Sequence, residues 1–148
     1  MIREYRPEDE EAVLGVWYDS AQVAYPFWAP EMFDVERQAI AEHYLPRAET
    51  YVFERTGAVV GFISLLGTEV GGLFVRPQYH REGIGRALMD EARASRDHLE
   101  LDVFEANVIG RAFYERYGFR VIGERVDEAM GLRVLRLGLR PGTRQARP

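Results

Sequence analysis

Between Gly72 and Ala92 the chain reads GLFVRPQYHREGIGRALMDEA, an apolar strand stopped by a proline and then a glycine-bearing loop that opens a helix. That order builds an anion site. Gly83 and Gly85 keep the loop free of side chains, so amides of the loop and the first helical turn can point at a phosphate whose charge the helix dipole favours. Arg81 and Arg86 flank the turn with planar cations that fork onto phosphate oxygens. A plainer reading is a strand, a turn and an amphipathic helix with Ile84, Ala87, Leu88 and Ala92 turned inward. The bracketing arginines and the strand-ending Pro77 favour phosphate binding over that plainer reading.

Composition narrows the chemistry. All 19 basic residues are arginine, so a Walker-type loop, which needs Gly-Lys, cannot be written in this chain. A dinucleotide fingerprint fits poorly, because Leu88 stands where it has Gly or Ala and the approach from Pro77 to Glu82 is long. Cysteine is absent, which removes disulfides, thiolate zinc sites and an acyl-cysteine intermediate. The three histidines, His43, His80 and His98, lack metal-ligand spacing, so no metal site is expected. A net charge of -5 argues against a nucleic-acid partner and favours cationic ones. Charges at Arg3, Glu4 and Arg6 occupy the place of a signal peptide's apolar core, and no apolar run approaches the roughly 20 residues that span a bilayer. The expectation is a cytoplasmic protein with no membrane segment.

A chain of 148 residues is one domain, expected over residues 1–139, with Arg140 to Pro148 as a frayed tail. Ile2 to Tyr5 reads as a short strand, and Pro7 with Glu8 to Glu11 opens a helix whose face is Val13, Val16, Trp17, Ser20 and Ala24. Pro26 and Pro30 bracket an aromatic link, and a second helix is expected from Glu31 to Tyr44. Strands at Tyr51–Arg55 and Ala58–Leu66 form a hairpin through Thr56-Gly57, and Val70–Val75 adds a third strand. In that third strand Gly71 and Gly72 mark a bulge or a close backbone approach. After the loop helix come a strand with Leu99, Leu101 and Val103 on one face, a helix from Asn107 to Tyr117 capped by Gly118, and two final strands. The expected fold is α/β, with a mixed, mostly antiparallel sheet of about seven strands flanked by about four helices.

These residues resemble the GNAT superfamily of N-acetyltransferases, including its small bacterial members, over nearly the whole chain. Leu73-Phe74-Val75 followed by His80-Arg81-Glu82-Gly83-Ile84-Gly85 is similar to the family's fourth strand and its Q/R-x-x-G-x-G/A loop. Leu101-x-Val103, Asn107, Phe113-Tyr114 and Gly118-Phe119 look like its L-x-V-x-x-x-N-x-x-A-x-x-F-Y segment and Gly-Phe ending. Two positions depart from the pattern: His80 for Gln or Arg, and Gly110 for Ala, where glycine costs roughly 1 kcal/mol of helix stability.

The resemblance implies acetyl-CoA as donor, with its pyrophosphate on Arg81, Glu82, Gly83, Ile84, Gly85 and Arg86, and pantetheine pairing along Leu73 to Val75. A backbone amide near Phe74 or Val75 would polarise the acyl carbonyl. Asn107 would hold pantetheine. Tyr114, about two helical turns on at roughly 10.5 Å, would be the general acid for the leaving thiolate. The implied activity is acetyl transfer to a small-molecule or peptide amine by direct attack in a ternary complex; a CoA-binding regulatory module without chemistry is the alternative. Glu69 and His43 are candidate bases, and Tyr25, Phe27, Trp28 and Phe33 are expected to border the acceptor pocket. Monomer and homodimer are both open.

Overall fold

A strand covered on both faces needs apolar residues at nearly every position, and the run after Thr56-Gly57 has that character. In the computed structural model, which describes residues 1–140, that run lies inside a single seven-stranded sheet. The elements are β1 (Ile2–Glu4), α1 (Glu10–Ala24), α2 (Pro30–Ala39), β2 (Glu49–Arg55), β3 (Ala58–Leu66), β4 (Glu69–Val75), α3 (Ile84–Arg93), β5 (Leu99–Phe104), α4 (Val108–Tyr117), β6 (Arg120–Asp127) and β7 (Leu132–Leu139). The strand order is β1-β2-β3-β4-β5-β7-β6, antiparallel throughout except between β4 and β5. The mixed, mostly antiparallel sheet with four flanking helices is the architecture expected from the sequence. The expected tail lies, beyond Arg140, outside the described residues.

Two apolar layers hold the helices to the sheet. On one face Val13, Val16 and Trp17 of α1 and Phe33 of α2 pack over Val52 and Phe62. On the other, Ile84, Leu88 and Met89 of α3 and Tyr117 of α4 pack over Ile63, Leu65 and Leu101. Leu88 is fully buried, and truncating a leucine in such a place costs about 2–5 kcal/mol. The β2–β3 hairpin turns on Thr56 and Gly57, both at positive φ, as a two-residue turn matched to strand twist requires.

Three departures from a regular layout shape the molecule's cleft. First, β4 and β5 are paired in register only at Glu69 and Glu100 and then splay apart. Arg136 of β7 fastens the closed end, contacting Glu69 at 2.6 and 2.8 Å, Glu100 at 2.8 and 3.0 Å and Asp102 at 3.1 Å. Second, Ser64 pairs with Gly72 but Leu65 pairs with Val70, so Gly71 is the extra residue of a β-bulge. Third, the helix expected from Glu31 to Tyr44 ends at Ala39 and continues as a wider π turn over Ile40–Tyr44, in which Leu45 N–H donates to the Ile40 carbonyl at 2.8 Å. That turn drives Tyr44 onto the bulge, where a Cβ on Gly71 would stand 1.6 Å from the Tyr44 Oη. Among the described residues no helix is long and apolar enough to cross a membrane, and no group of side chains is arranged to hold a metal ion.

Candidate active site

The open edge of β4 forms one wall of the splay. Arg76 N–H donates to the Val60 carbonyl at 2.9 Å, so the alternation of an antiparallel pair turns the peptide groups of Leu73 and Val75 away from β3 and into the opening. Phe74 pairs its backbone with Phe62 and sends its ring to the α1 face, 6.4 Å from Tyr25. The edge amides free to meet a carbonyl are therefore those of Leu73 and Val75. The Val75 carbonyl is already engaged, by Ser20 Oγ at 2.9 Å and by His80 Nε2 at 2.8 Å, which must carry the ring proton. His80, the unusual residue in the loop, thus ties the loop to the end of β4.

Beyond His80 the backbone takes two left-handed steps, Arg81 at φ 69° and Gly83 at φ 84°. Glycine adopts that geometry freely; for arginine it costs about 1 kcal/mol or more, strain of the kind that gathers at binding loops. Gly83 caps α3 without a side-chain acceptor, and the first helical bond runs from Ala87 N–H to the Gly83 carbonyl at 3.0 Å. The amides of Ile84, Gly85 and Arg86 accordingly have no partner within the helix. Gly85 lies where a Cβ would be 3.2 Å from the Phe113 ring, so its bareness lets α3 close onto α4. Arg81 and Arg86 are exposed beside the turn, while the Glu82 carboxylate is paired with Arg55.

Opposite the β4 edge stands the start of α4. Asn107 is buried and caps the helix, its Oδ1 accepting from Gly110 N–H at 2.9 Å, a bond worth about 1 kcal/mol. A Cβ on residue 110 would lie 2.6 Å from Asn107 Nδ2, so glycine there keeps the cap in place. Tyr114, on the same helix, lines the cleft, and its hydroxyl makes no hydrogen bond to any described residue. Burial pushes its phenol well above the ordinary value, so it holds its proton at neutral pH. Tyr117 is different: it donates to Asp90, with Arg86 and Arg93 over its ring, and serves packing.

The cleft has two arms. One, about 200 Å³, runs between the β4 edge and α4, past His80, Asn107, Gly110 and Tyr114. The other, about 570 Å³, lies under α2 and the π turn, among Trp28, Glu36, His43 and Tyr44. They share Tyr25, Gly71, Gly72, Phe74, Phe104 and Asp127, so they meet at the bulge. Tyr25 stacks on Trp28 at 4.6 Å and meets Phe104 edge-on at 5.7 Å. Phe27 joins Phe104 at 5.6 Å without lining either arm and Phe33 is buried against Trp17 in the core, so of the four expected rim aromatics Tyr25 and Trp28 border the opening. Glu69 is held bidentate by Arg136, and the His43 side chain is 76% exposed at the rim. Glu36, Tyr44, Phe104 and Asp127 are cleft residues that carry no local sequence signal.

The family model for an acetyltransferase (GNAT) domain matches residues 46–121, which hold β4, the loop and α4. Peptidyl-lysine N-acetyltransferase YiaC of Escherichia coli (strain K12) is 32% identical over 123 residues, covering 82% of this chain and 84% of that protein. Peptidyl-lysine N-acetyltransferase YjaB of the same strain is 29% identical over 131 residues, covering 88% of each. The solution structure of apo YjaB from Escherichia coli superposes with a TM-score of 0.82 at 28% identity, over 93% of this chain and 95% of that one. The PaiA N-acetyltransferase of Thermoplasma acidophilum, solved with coenzyme A, shares the fold with a TM-score of 0.76 at 21% identity, over 92% and 96% of the two chains. Sequence and fold thus converge, and the chain belongs to the GNAT family of acetyltransferases.

Proposed function

We propose that the protein moves the acetyl group of acetyl-CoA to the side-chain amine of a lysine in a peptide or protein, by direct attack while both substrates are bound. The observation that carries this reading is the two-armed cleft: a narrow arm with an unpaired strand edge and a partly buried tyrosine, opening at a bulge into a wider aromatic arm. The lysine acceptor is supported by the two relatives named as peptidyl-lysine N-acetyltransferases.

In this reading the amides of Ile84 to Arg86 take the pyrophosphate, helped by Arg81 and Arg86. Pantetheine lies against β4 as an added strand, bonded to Leu73 and Val75, with Asn107 Nδ2 available from the opposite wall. The edge amides of β4 polarise the thioester carbonyl as charge develops on its oxygen. Tyr114 gives its proton to the departing thiolate, a role that suits a phenol kept protonated by burial. No covalent acyl-cysteine can intervene, because the chain has no cysteine.

The test is to incubate the protein with acetyl-CoA and a lysine-containing peptide, following free thiol and the mass of the peptide. The chain has no lysine, so any acetyl-lysine detected arises on the acceptor. Peptide-dependent thiol release with a matching acetyl-lysine product is the expected result. Thermal stabilisation by CoA with no thiol release over a broad amine panel would make the protein a CoA-binding module instead.

A further inference from the structure

We infer that Glu36 is the acceptor site's own carboxylate: it receives the substrate as a primary ammonium on an apolar stem and takes its proton. This rests on the acetyl-transfer reading above. Three carboxylates line the cleft, Asp102 in the narrow arm, Glu36 in the wide arm and Asp127 in both. Asp102 is bonded to Arg136 at 3.1 Å and to Arg125 at 3.2 Å. Asp127 Oδ1 accepts from the amides of Ala129 at 2.9 Å and Met130 at 3.3 Å, holding the β6–β7 turn. Glu36 alone among them has neither a hydrogen bond nor an ion pair with any described residue. The sheet cannot supply the base from Glu69 or Glu100 either, since Arg136 grips both.

A half-buried carboxylate without a partner is costly, and the fold keeps this one in an aromatic cavity. Burial raises its pKa above the usual carboxylate range. Trp28 and Tyr44 line the same cavity but turn their polar atoms inward, the Tyr44 Oη onto the Gly71 backbone. An unpaired carboxylate in an aromatic space specifies a ligand that is polar at its end and greasy along its length. Trp28, Phe74 and Phe104 can flank four methylenes, and their ring faces favour a cation. The other titratable groups facing Glu36 across this space are Tyr25, His43, Tyr44, Arg47 and Asp127. Tyr25 lines both arms, with Glu36 in the wide one and Tyr114 in the narrow one.

The proton ledger closes. The ammonium gives one proton to a Glu36 oxygen, and its nitrogen lone pair then bonds to the thioester carbon. When the carbon–sulfur bond breaks, the thiolate takes the Tyr114 proton. The second nitrogen proton returns to that tyrosinate, and Glu36 loses its own to solvent, leaving amide, thiol and one free proton.

The experiment uses Nα-acetyl-lysine methylamide as acceptor with the whole chain and its Glu36→Gln and Glu36→Asp variants. Glu36→Gln is expected to lower kcat/KM for the amine by about a hundredfold or more, to leave the KM for acetyl-CoA unchanged, and to abolish the acidic limb of the pH profile. Glu36→Asp is expected to restore that limb in part. An unchanged kcat/KM and an intact acidic limb in folded Glu36→Gln would overturn the assignment. Independently of turnover, the isotope-labelled Glu36 carboxyl resonance of the CoA-bound wild type should move and its pKa should fall as the probe is added; no movement at saturation overturns the inference. A wild type whose Glu36 responds to the amine yet releases no thiol would keep the amine site and sink the acetyl-transfer reading.

Discussion

The narrow and wide arms of the cleft meet at Gly71 yet are made of different material. The narrow arm runs along the backbone edge of β4 and the cap of α4, and the amides opening α3 follow His80 in the chain. The wide arm presents side chains, gathered from the end of α1, the Pro26–Pro30 link, α2, the π turn and the end of β6. Backbone recognises what every acyl-CoA shares, a diphosphate and an extended amide chain. Side chains can be exchanged without disturbing the sheet, so in the proposed reading the wide arm is where acceptor choice can change while the donor stays fixed. The carboxylates differ too: Asp102 of the narrow arm is paired with arginines, whereas Glu36 of the wide arm has no partner among the described residues.

If that division is right, substitutions should separate by arm. The largest effect is expected at Tyr114→Phe, which should cut kcat by about a hundredfold or more while leaving CoA affinity, measured by calorimetry, intact. Equal loss of both would assign Tyr114 to packing. Gly71→Ala, at the junction, should damage both arms together. Its Cβ collides with Tyr44, so a loss of about 1–3 kcal/mol in denaturant stability is expected, with acyl transfer falling alongside it. An undisturbed Gly71→Ala would mean the bulge is not rigid. Reversing charge at Arg81 and Arg86 together should weaken CoA binding by about tenfold, roughly 1.4 kcal/mol, and weaken it less as salt rises. The affinity of the amine should not change.

The smallest effect tests the wide arm through stability. The Glu36 pKa in the folded protein lies above its unfolded value, so its ionisation costs stability as pH rises through the folded value. Glu36→Gln should therefore melt slightly higher than wild type at neutral pH, by about 0.5 kcal/mol after allowing for its solvent-facing half. The difference should vanish below the ordinary carboxylate range. A variant less stable than wild type at neutral pH would show that Glu36 has a partner in the fold.

The same division explains what could be read in advance. The loop, the helix from Asn107 and the Gly118-Phe119 ending are contiguous, so their spacing alone carries the geometry, and Gly118 takes φ 125° with Phe119 buried as that spacing requires. The two glycines before Leu73 allowed a bulge or a close approach; Gly71 is both, the bulge from pairing and the approach from Tyr44. The π turn had no warning, because Ile40 to Tyr44 keeps the composition of an ordinary helix and only tertiary contact widens it. Phe33 looked like a rim aromatic beside Trp28, but α2 rotates it into the layer with Trp17. Glu36 was one of 24 acidic residues, and what marks it is the lack of a partner, a property of the fold rather than of any segment.

The central claim, one cleft with a backbone-built donor arm and a side-chain-built acceptor arm, is tested most directly by following the backbone-amide NMR signals during separate titrations with CoA and with Nα-acetyl-lysine methylamide. CoA should move Leu73, Val75, Ile84, Gly85 and Arg86, the lysine derivative should move Trp28, Glu36 and Tyr44, and both should move Gly71. CoA signals confined to the α2 side, or no response of residues 83–86 at saturation, would contradict the account.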